Sequence, residues 1–452
     1  CEKRVPETIG INGLAVSSFL NSQNVTTEDP QMLTSIITQV DYAIASLNFE
    51  KSSGFTGLVH STPTKGDVVL TKGAKLKAAA VARLKALASI CPTKVSTMGA
   101  IQLVQLGLRD PVIPCIKPEP HPDRKLFKEG TKEPLKNQRW RSILVQSTTD
   151  EVVGRVLHKR QNDAGVAHYQ NATLEQVAES QSTLGASQTD AGIRRLGLVM
   201  LAGLMLLPRG KLAESSDVSG MDWCVGSVGI AIDTLRRLKA AIASRDGLLS
   251  GMNGVRTNFD IALINYGLVT GLPVYMVGSA LYAQLQRGVT QSGVVSTGQM
   301  NCSVRNYAEH LYVAVRHAVA NYCNGVFRFR VPLSHGDDCV TMRVEEDLLD
   351  VKEYERLTAL SLRDVITLPV SEEVCYLSMS FQLGESSYTF LNEGKVLSSL
   401  YRKKITADML LGISVACRHT PEMLKWVEKL RASYGHAEGD FTGIIDCCAN
   451  DP

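Results

Sequence analysis

Apolar positions along this chain change their period several times, and each change marks an element. In residues 75–90, Leu76, Ala80, Leu84 and Leu87 recur at helical spacing with Lys77, Arg83 and Lys85 off that stripe, which predicts an amphipathic helix. Periodicity then stops. Residues 111–134 shift to Pro, Lys and Glu, and the run Lys117-Pro118-Glu119-Pro120-His121 predicts an extended basic loop because no regular helix tolerates it. Residues 141–145 read as strand and residues 151–159 as helix. The longest apolar stretch, 196–207, is far short of the roughly 20 residues that span a bilayer and predicts a buried helix. Residues 211–216 follow Pro208 and Gly210 and predict a short buried strand running into a turn at Asp217 to Asp222. The β-prone runs 326–333 and 339–344 flank His335-Gly336-Asp337-Asp338, which predicts a hairpin. Beyond about Gly394 the pattern is helical again, with Met409, Ile413, Ala416 and residues 423–430 as apolar positions. Neither a repeat nor a long linker interrupts this order, so the parts are expected to form one interlocked body.

Composition sharpens the picture only a little. The 452 residues are 44% hydrophobic, enough for a substantial core. The net charge of +3 gives weak support for a nucleic-acid partner, but its distribution gives more. Residues 117–160 hold eleven Lys or Arg against six Asp or Glu, a larger excess than the whole chain carries, so the remainder is slightly acidic. The 11 cysteines are odd in number and include no Cys-x-x-Cys pair, which argues against a disulfide framework and a zinc site and favours a reducing compartment. The amino terminus has no charged-then-apolar signal segment.

Candidate chemistry centres on acidic turns at strand ends. Two-metal phosphoryl transfer needs carboxylates that converge on both ions, and Asp217 with Asp337-Asp338 could supply them if their strands lie side by side. Side chains alternate along extended backbone, so Asp337 rather than Asp338 is expected to face the ions directly. A Gly-Asp-Asp triplet alone is weak, because turns favour these residues and about one chain of this length in ten carries one by chance. Its neighbours matter more. Ser292-Gly293, Thr297 and Asn301 follow the pattern Ser-Gly-x-x-x-Thr-x-x-x-Asn, with Thr297 and Asn301 one helical turn apart on one face. By itself that segment would be an ordinary capped helix start.

In order, an Asp-x-x-x-x-Asp turn, the Ser-Gly/Thr/Asn helix and Gly-Asp-Asp resemble the palm of positive-strand RNA virus polymerases. About 70 residues separate Asp222 from Ser292, and about 36 separate Asn301 from Asp337. Ile116 to His121, Lys125 and Arg139-Trp140-Arg141-Ser142-Ile143 resemble the basic entry motif of the sobemovirus and luteovirus-like group in particular, as does Asp217 to Trp223 its first acidic motif. The resemblance runs from about Pro111 to Leu400.

That resemblance implies an α+β right hand: fingers in 1–210 and again in 246–288, a palm with a small antiparallel sheet in 211–245 and 289–390, and a compact helical thumb in 391–452. It implies that Asp217 and Asp337 bind two Mg²⁺ or Mn²⁺ ions with help from Asp338. Asp222 and Asn301 would read the ribose 2′-hydroxyl, and Ser292, Gly293 and Thr297 would help position nucleotide and template. Lys117, Lys125, Arg139 and Arg141 would contact triphosphate, a task suited to bidentate guanidinium. Lys128, Lys132 and Lys136, interleaved with Glu129 and Glu133, read as a solvated loop, and Trp140 reads equally as packed or base-contacting. Residues 353–364 and 374–381 loosely resemble the two motifs that follow Gly-Asp-Asp. The first of these usually offers a Lys as general acid, but Arg363 stands here and hardly releases its proton. Lys352, water or no protein group would then take that role. His335 reads as a local hydrogen-bonding residue, and Cys224, Cys302 and Cys339 read as core. Implied partners are RNA template and product, ribonucleoside triphosphates and, with initiation left open, a genome-linked protein primer or other replication proteins. The implied setting is the host cytoplasm, with membranes reached only through partners. A reverse transcriptase is the nearest rival, against which Asp222, Asn301 and the absent Tyr-x-Asp-Asp argue; a non-catalytic viral RNA-binding protein is the other.

Overall fold

A computed structural model describes residues 36–55, 58, 63–117, 131–133, 142–207, 210–243, 255–317, 329–391, 393–397, 400 and 405–433. Within them the protein mixes helices with small antiparallel sheets, consistent with an α+β class. The strands in chain order are β1 (Ile113–Ile116), β2 (Ser142–Val145), β3 (Gly210–Val218), β4 (Val274–Val277), β5 (Ala280–Ala283), β6 (Arg330–His335), β7 (Asp338–Val344), β8 (Leu362–Pro369), β9 (Glu373–Tyr376), β10 (Met379–Gln382) and β11 (Tyr388–Phe390).

The central sheet has four strands in the order β6-β7-β3-β8, each pair antiparallel. Its hairpin is the one expected around Gly-Asp-Asp: His335 pairs with Asp338, and Gly336 takes the turn at a φ of +71°, where a Cβ would be strained. The helix Asp190–Met205 covers the sheet, with Leu196, Val199 and Met200 fully buried in one cluster with Ala213, Val331, Leu333, Val340 and Met342. This is the buried helix the long apolar stretch predicted, and among the described residues no helix is long and apolar enough to cross a membrane.

A second core joins the helices Lys65–Ser89, Thr148–Asn171 and Val255–Thr270, so a late segment of the chain packs on an early one. The first of these is longer than its sequence stripe. A capping box at Thr64 starts it, the Asp67 carboxylate accepting from the Thr64 amide at 2.9 Å and the Thr64 hydroxyl accepting from the Asp67 amide at 3.2 Å. Leu76, Ala80, Leu84 and Leu87 are its buried face, as expected. Arg83 departs from expectation: it is buried, with its guanidinium 3.0 Å from Asp110 and 2.6 Å from Asp150. A buried charge needs such partners, and these come from 27 and 67 residues away, beyond the reach of any local pattern.

A third core lines the helix Thr297–Arg316 with Met300, Val304, Ala308 and Tyr312 against Val218, Met221 and Tyr354 of the helix Val351–Thr358. Past β11 the helices Ala407–Ala416 and Pro421–Ser433 pack on each other through Leu410 and Val427, in line with the helical tail the sequence predicted.

Candidate active site

The register of the central sheet brings the acidic turns together. β3 pairs with β7 from Leu212↔Arg343 to Ser216↔Cys339, so the next residue of β3, Asp217, emerges beside the turn carrying Asp337 and the first residue of β7, Asp338. On the other side Asp217 pairs with Arg363 of β8. Between Ser215↔Ile366 and Asp217↔Arg363 two steps on β3 span three on β8, a bulge at which Asp364 takes a φ of +50°. That extra residue aims Arg363 at Asp217. Its Nε donates to Asp217 Oδ2 at 2.6 Å and its Nη2 donates to the same oxygen. Asp217 Oδ1 is buried and has no hydrogen-bond partner.

Asp337 acts on the same guanidinium. Burial would lower the Arg363 pKa, but its bond to Asp217 and the charges of Asp217, Asp364 and Asp337 raise it. The charge of Asp338 adds to burial in raising the pKa of the Tyr376 hydroxyl. Asp337 lies in the turn and Asp338 opens β7. Among the described residues no group of three or more His, Cys, Asp or Glu is gathered to hold a metal ion.

The helix Thr297–Arg316 runs under both turns. Cys302 Sγ accepts the Gly336 amide at 3.0 Å and donates to Ser334 O at 3.4 Å, while Arg305 Nη2 donates to the hydroxyl of Ser216, next to Asp217. Burial pushes the Cys302 thiol up to about 12, so it stays a neutral strut. Cys339 is buried too, and Cys224 is half-buried. Cys302 is the core residue the sequence predicted, and Arg305 is the positioning residue it did not mark, its only signal being its helical distance from Asn301.

Asn301 is 6% exposed, and its Oδ1 is buried without a hydrogen-bond partner. Asp222 lies at the start of the short helix Met221–Cys224, which Gly220 enters at a φ of +65°. Its carboxylate accepts from the Ser292 hydroxyl, and its carbonyl accepts the Thr290 amide at 2.7 Å. The structure therefore joins Asp222 to Ser292 across 70 residues of sequence. Thr297 is turned inward: its hydroxyl donates to Gln291 O at 2.6 Å and Val294 O at 2.9 Å, fixing the loop rather than facing open space. Gly293 lies so close to β2 that a Cβ would sit 2.7 Å from Leu144 O, and Gln146 Nε2 donates to Gly293 O at 3.1 Å.

Of the basic residues, Lys117 is described, just past β1, where Ile116 pairs with Ser142 of β2. Lys125, Arg139 and Arg141 lie outside the described residues, as do Trp140 and Lys128. The β1–β2 ladder that flanks them abuts the Gly293 loop through Leu144. His335 forms the local bond expected of it, through Nδ1 to Thr183 O at 3.0 Å; burial lowers its pKa against that bond and the charge of Asp337.

No family model matches this chain. Over 179 residues, 39% of the chain, it is 31% identical to the Replicase polyprotein P2AB of Southern cowpea mosaic virus. Over 217 residues, 46% of the chain, it is 28% identical to Protein P1-P2 of Turnip yellows virus (isolate FL-1). The matches span 16% and 18% of those relatives' own lengths. Its homologues thus include a sobemovirus and a luteovirus protein, a viral replicase-like group, at modest identity.

Proposed function

We propose that this chain, with homologues in that replicase-like group, serves viral replication as an RNA-dependent RNA polymerase, joining ribonucleoside triphosphates on an RNA template. The observation that carries the proposal is the meeting of Asp217 with the Asp337 turn at one end of the sheet, with its Oδ1 buried and unbonded. Hard carboxylate oxygens suit Mg²⁺ or Mn²⁺, and Mg²⁺ often takes only one or two carboxylates and completes its shell with phosphate and water. Asp217 and Asp337 would hold the ions, with Asp338 assisting. Two such ions, when bound, stabilise the attacking and leaving oxygens of an in-line displacement at the nucleotide α-phosphate.

The remaining residues of the site bind and orient. Asn301 keeps a buried acceptor that a ribose 2′-hydroxyl can satisfy, and Asp222, braced by Ser292, offers a second. Thr297 and Gly293 hold the loop between them, and Lys117, with Lys125, Arg139 and Arg141, would meet the triphosphate. In this reading the architecture is a right hand. Residues 211–245 and 289–390 form the palm around the four-stranded sheet, 1–210 and 246–288 the fingers, and 391–452 the thumb. The packing of Val255–Thr270 on Lys65–Ser89 supports the return of the fingers. The proposed partners are template and product RNA, ribonucleoside triphosphates and either a genome-linked protein primer or other replication proteins, in host cytoplasm, with any membrane contact coming through those partners.

The test is incorporation of labelled ribonucleotides on a short primed RNA with Mg²⁺ or Mn²⁺. Extension is expected to vanish in Asp337→Ala, while Asn301→Ala loses preference for ribose over deoxyribose by about tenfold, the worth of one hydrogen bond. Unchanged RNA binding without synthesis on any template would leave a binding protein instead.

A further inference from the structure

Arg363 is the residue whose place the polymerase reading does not explain. It occupies the position where a Lys general acid is usual, yet it cannot release a proton, and it spends both donors on one oxygen of Asp217. A guanidinium facing a carboxylate ordinarily engages both oxygens. Here Oδ1 is left buried and unbonded, so half of the carboxylate's ligand capacity is kept in reserve. The two ends of the pair also differ in freedom: the Arg363 side chain is 45% exposed and that of Asp217 19%. The carboxylate is fixed in the sheet while the cation can swing into solvent.

Electrostatics gives the arrangement a purpose. Asp217, Asp364 and Asp337 all act on Arg363, whose guanidinium is the cation paired with Asp217. We propose that Arg363 is a displaceable counterion: it neutralises Asp217 in the metal-free protein, yields that carboxylate to an arriving divalent cation, and then grips the phosphate oxygens of the nucleotide. The proposal rests on the polymerase reading of the site. Exchange is easy because a half-exposed ion pair contributes little, whereas a doubly charged ion meets a second, unspent oxygen on the same group. A freed guanidinium remains charged at every working pH and matches phosphate bidentately, which a lysine in the same place would not. The bulge at Asp364 is what makes the pairing possible, since regular pairing would set a different residue of β8 opposite Asp217.

The experiment titrates the full chain with Mn²⁺ alone, reading free Mn²⁺ by electron paramagnetic resonance, in the wild type, Arg363→Gln and Asp217→Asn. Arg363→Gln is expected to bind Mn²⁺ about three- to tenfold more tightly, since both competitor and repelling charge are gone. Asp217→Asn is expected to lose the site. With Mn²⁺ saturating, inorganic pyrophosphate followed by calorimetry should bind Arg363→Gln about tenfold more weakly than wild type, and Arg363→Lys in between. Equal Mn²⁺ affinity in wild type and Arg363→Gln, with binding still lost in Asp217→Asn, overturns the counterion and leaves the metal site standing. Pyrophosphate affinity unchanged by Arg363→Gln overturns the handover. Mn²⁺ binding indifferent to Asp217→Asn removes both this proposal and the polymerase reading beneath it.

Discussion

At the end of the sheet where β6 begins, Arg330 donates to Glu309 at 2.9 Å and to Asp347 at 3.0 Å and also pairs with Glu214, and Arg343 lies 3.1 Å from Glu214; every one of these side chains is buried. At the other end of the same strands, Asp217 shares one oxygen with Arg363, half open to water, and leaves the second unbonded. Similar charges are therefore used in opposite ways. The first set is closed on itself: each carboxylate neutralises a cation that could not be buried alone, although Glu214 Oε2 and Arg343 Nε face each other as an ion pair without an aligned hydrogen bond, and the network ties β3, β6 and the helix Thr297–Arg316 into one frame. The second set is a single open pair, with Arg363 reaching solvent and one Asp217 oxygen unspent, which suits a binding site. Rigidity at one end is what allows incompleteness at the other.

Three changes would break or sharpen this contrast. Arg330→Ala should have the largest effect, roughly 3–5 kcal/mol of lost stability in urea unfolding, because it strands buried carboxylates. Asp217→Asn should change that stability by less than about 1 kcal/mol, as expected for a partly exposed pair. In the same variant RNA synthesis should fall by at least about a hundredfold, the usual loss when a group stabilising transition-state charge is removed. If both variants unfold at the same denaturant concentration, the two ends are not different in kind. The smallest effect concerns acid. Burial pushes His158 and His310 well below the usual imidazole range, with Arg237 adding to the effect at His158. The unfolded chain then takes up protons below about pH 6.5 that the folded chain refuses, so stability should fall as pH drops through that point. The slope should be about 1.4 kcal/mol per pH unit for each histidine. His310→Gln should flatten the pH profile of thermal unfolding by one histidine's share, and a profile left unchanged would show that His310 titrates alike in both states.

Much of this frame was legible because it follows local periodicity. The stripe Leu76, Ala80, Leu84 and Leu87, the apolar helix over the sheet and the hairpin around Gly336 each depend on neighbours within one element. What escaped depends on distance. Arg363 and Asp217 lie 146 residues apart, and nothing in either segment announces the other. Arg83 sits off the apolar stripe and so reads as solvated until Asp110 and Asp150 are brought to it. The β4–β5 hairpin was silent for another reason: β5 is exposed at all four positions, so no alternation marks it. For the candidate site, sequence order named Asp217, Asp222, Asn301 and Asp337, and the fold added Arg305 and the contacts that Cys302 and Arg363 make.

The contact between Gly293 and β2 also bears on how such a protein drifts. A glycine codon leads by single-base missense changes to Ala, Val, Ser, Cys, Asp, Glu, Arg or Trp, and all of them carry a Cβ. At Gly293 that atom would lie 2.7 Å from Leu144 O, a backbone atom with little room to retreat. The smallest missense step a copying error can take there already parts the loop from the ladder that borders the basic segment. In mutational space, Gly293 is a place with no gentle neighbours.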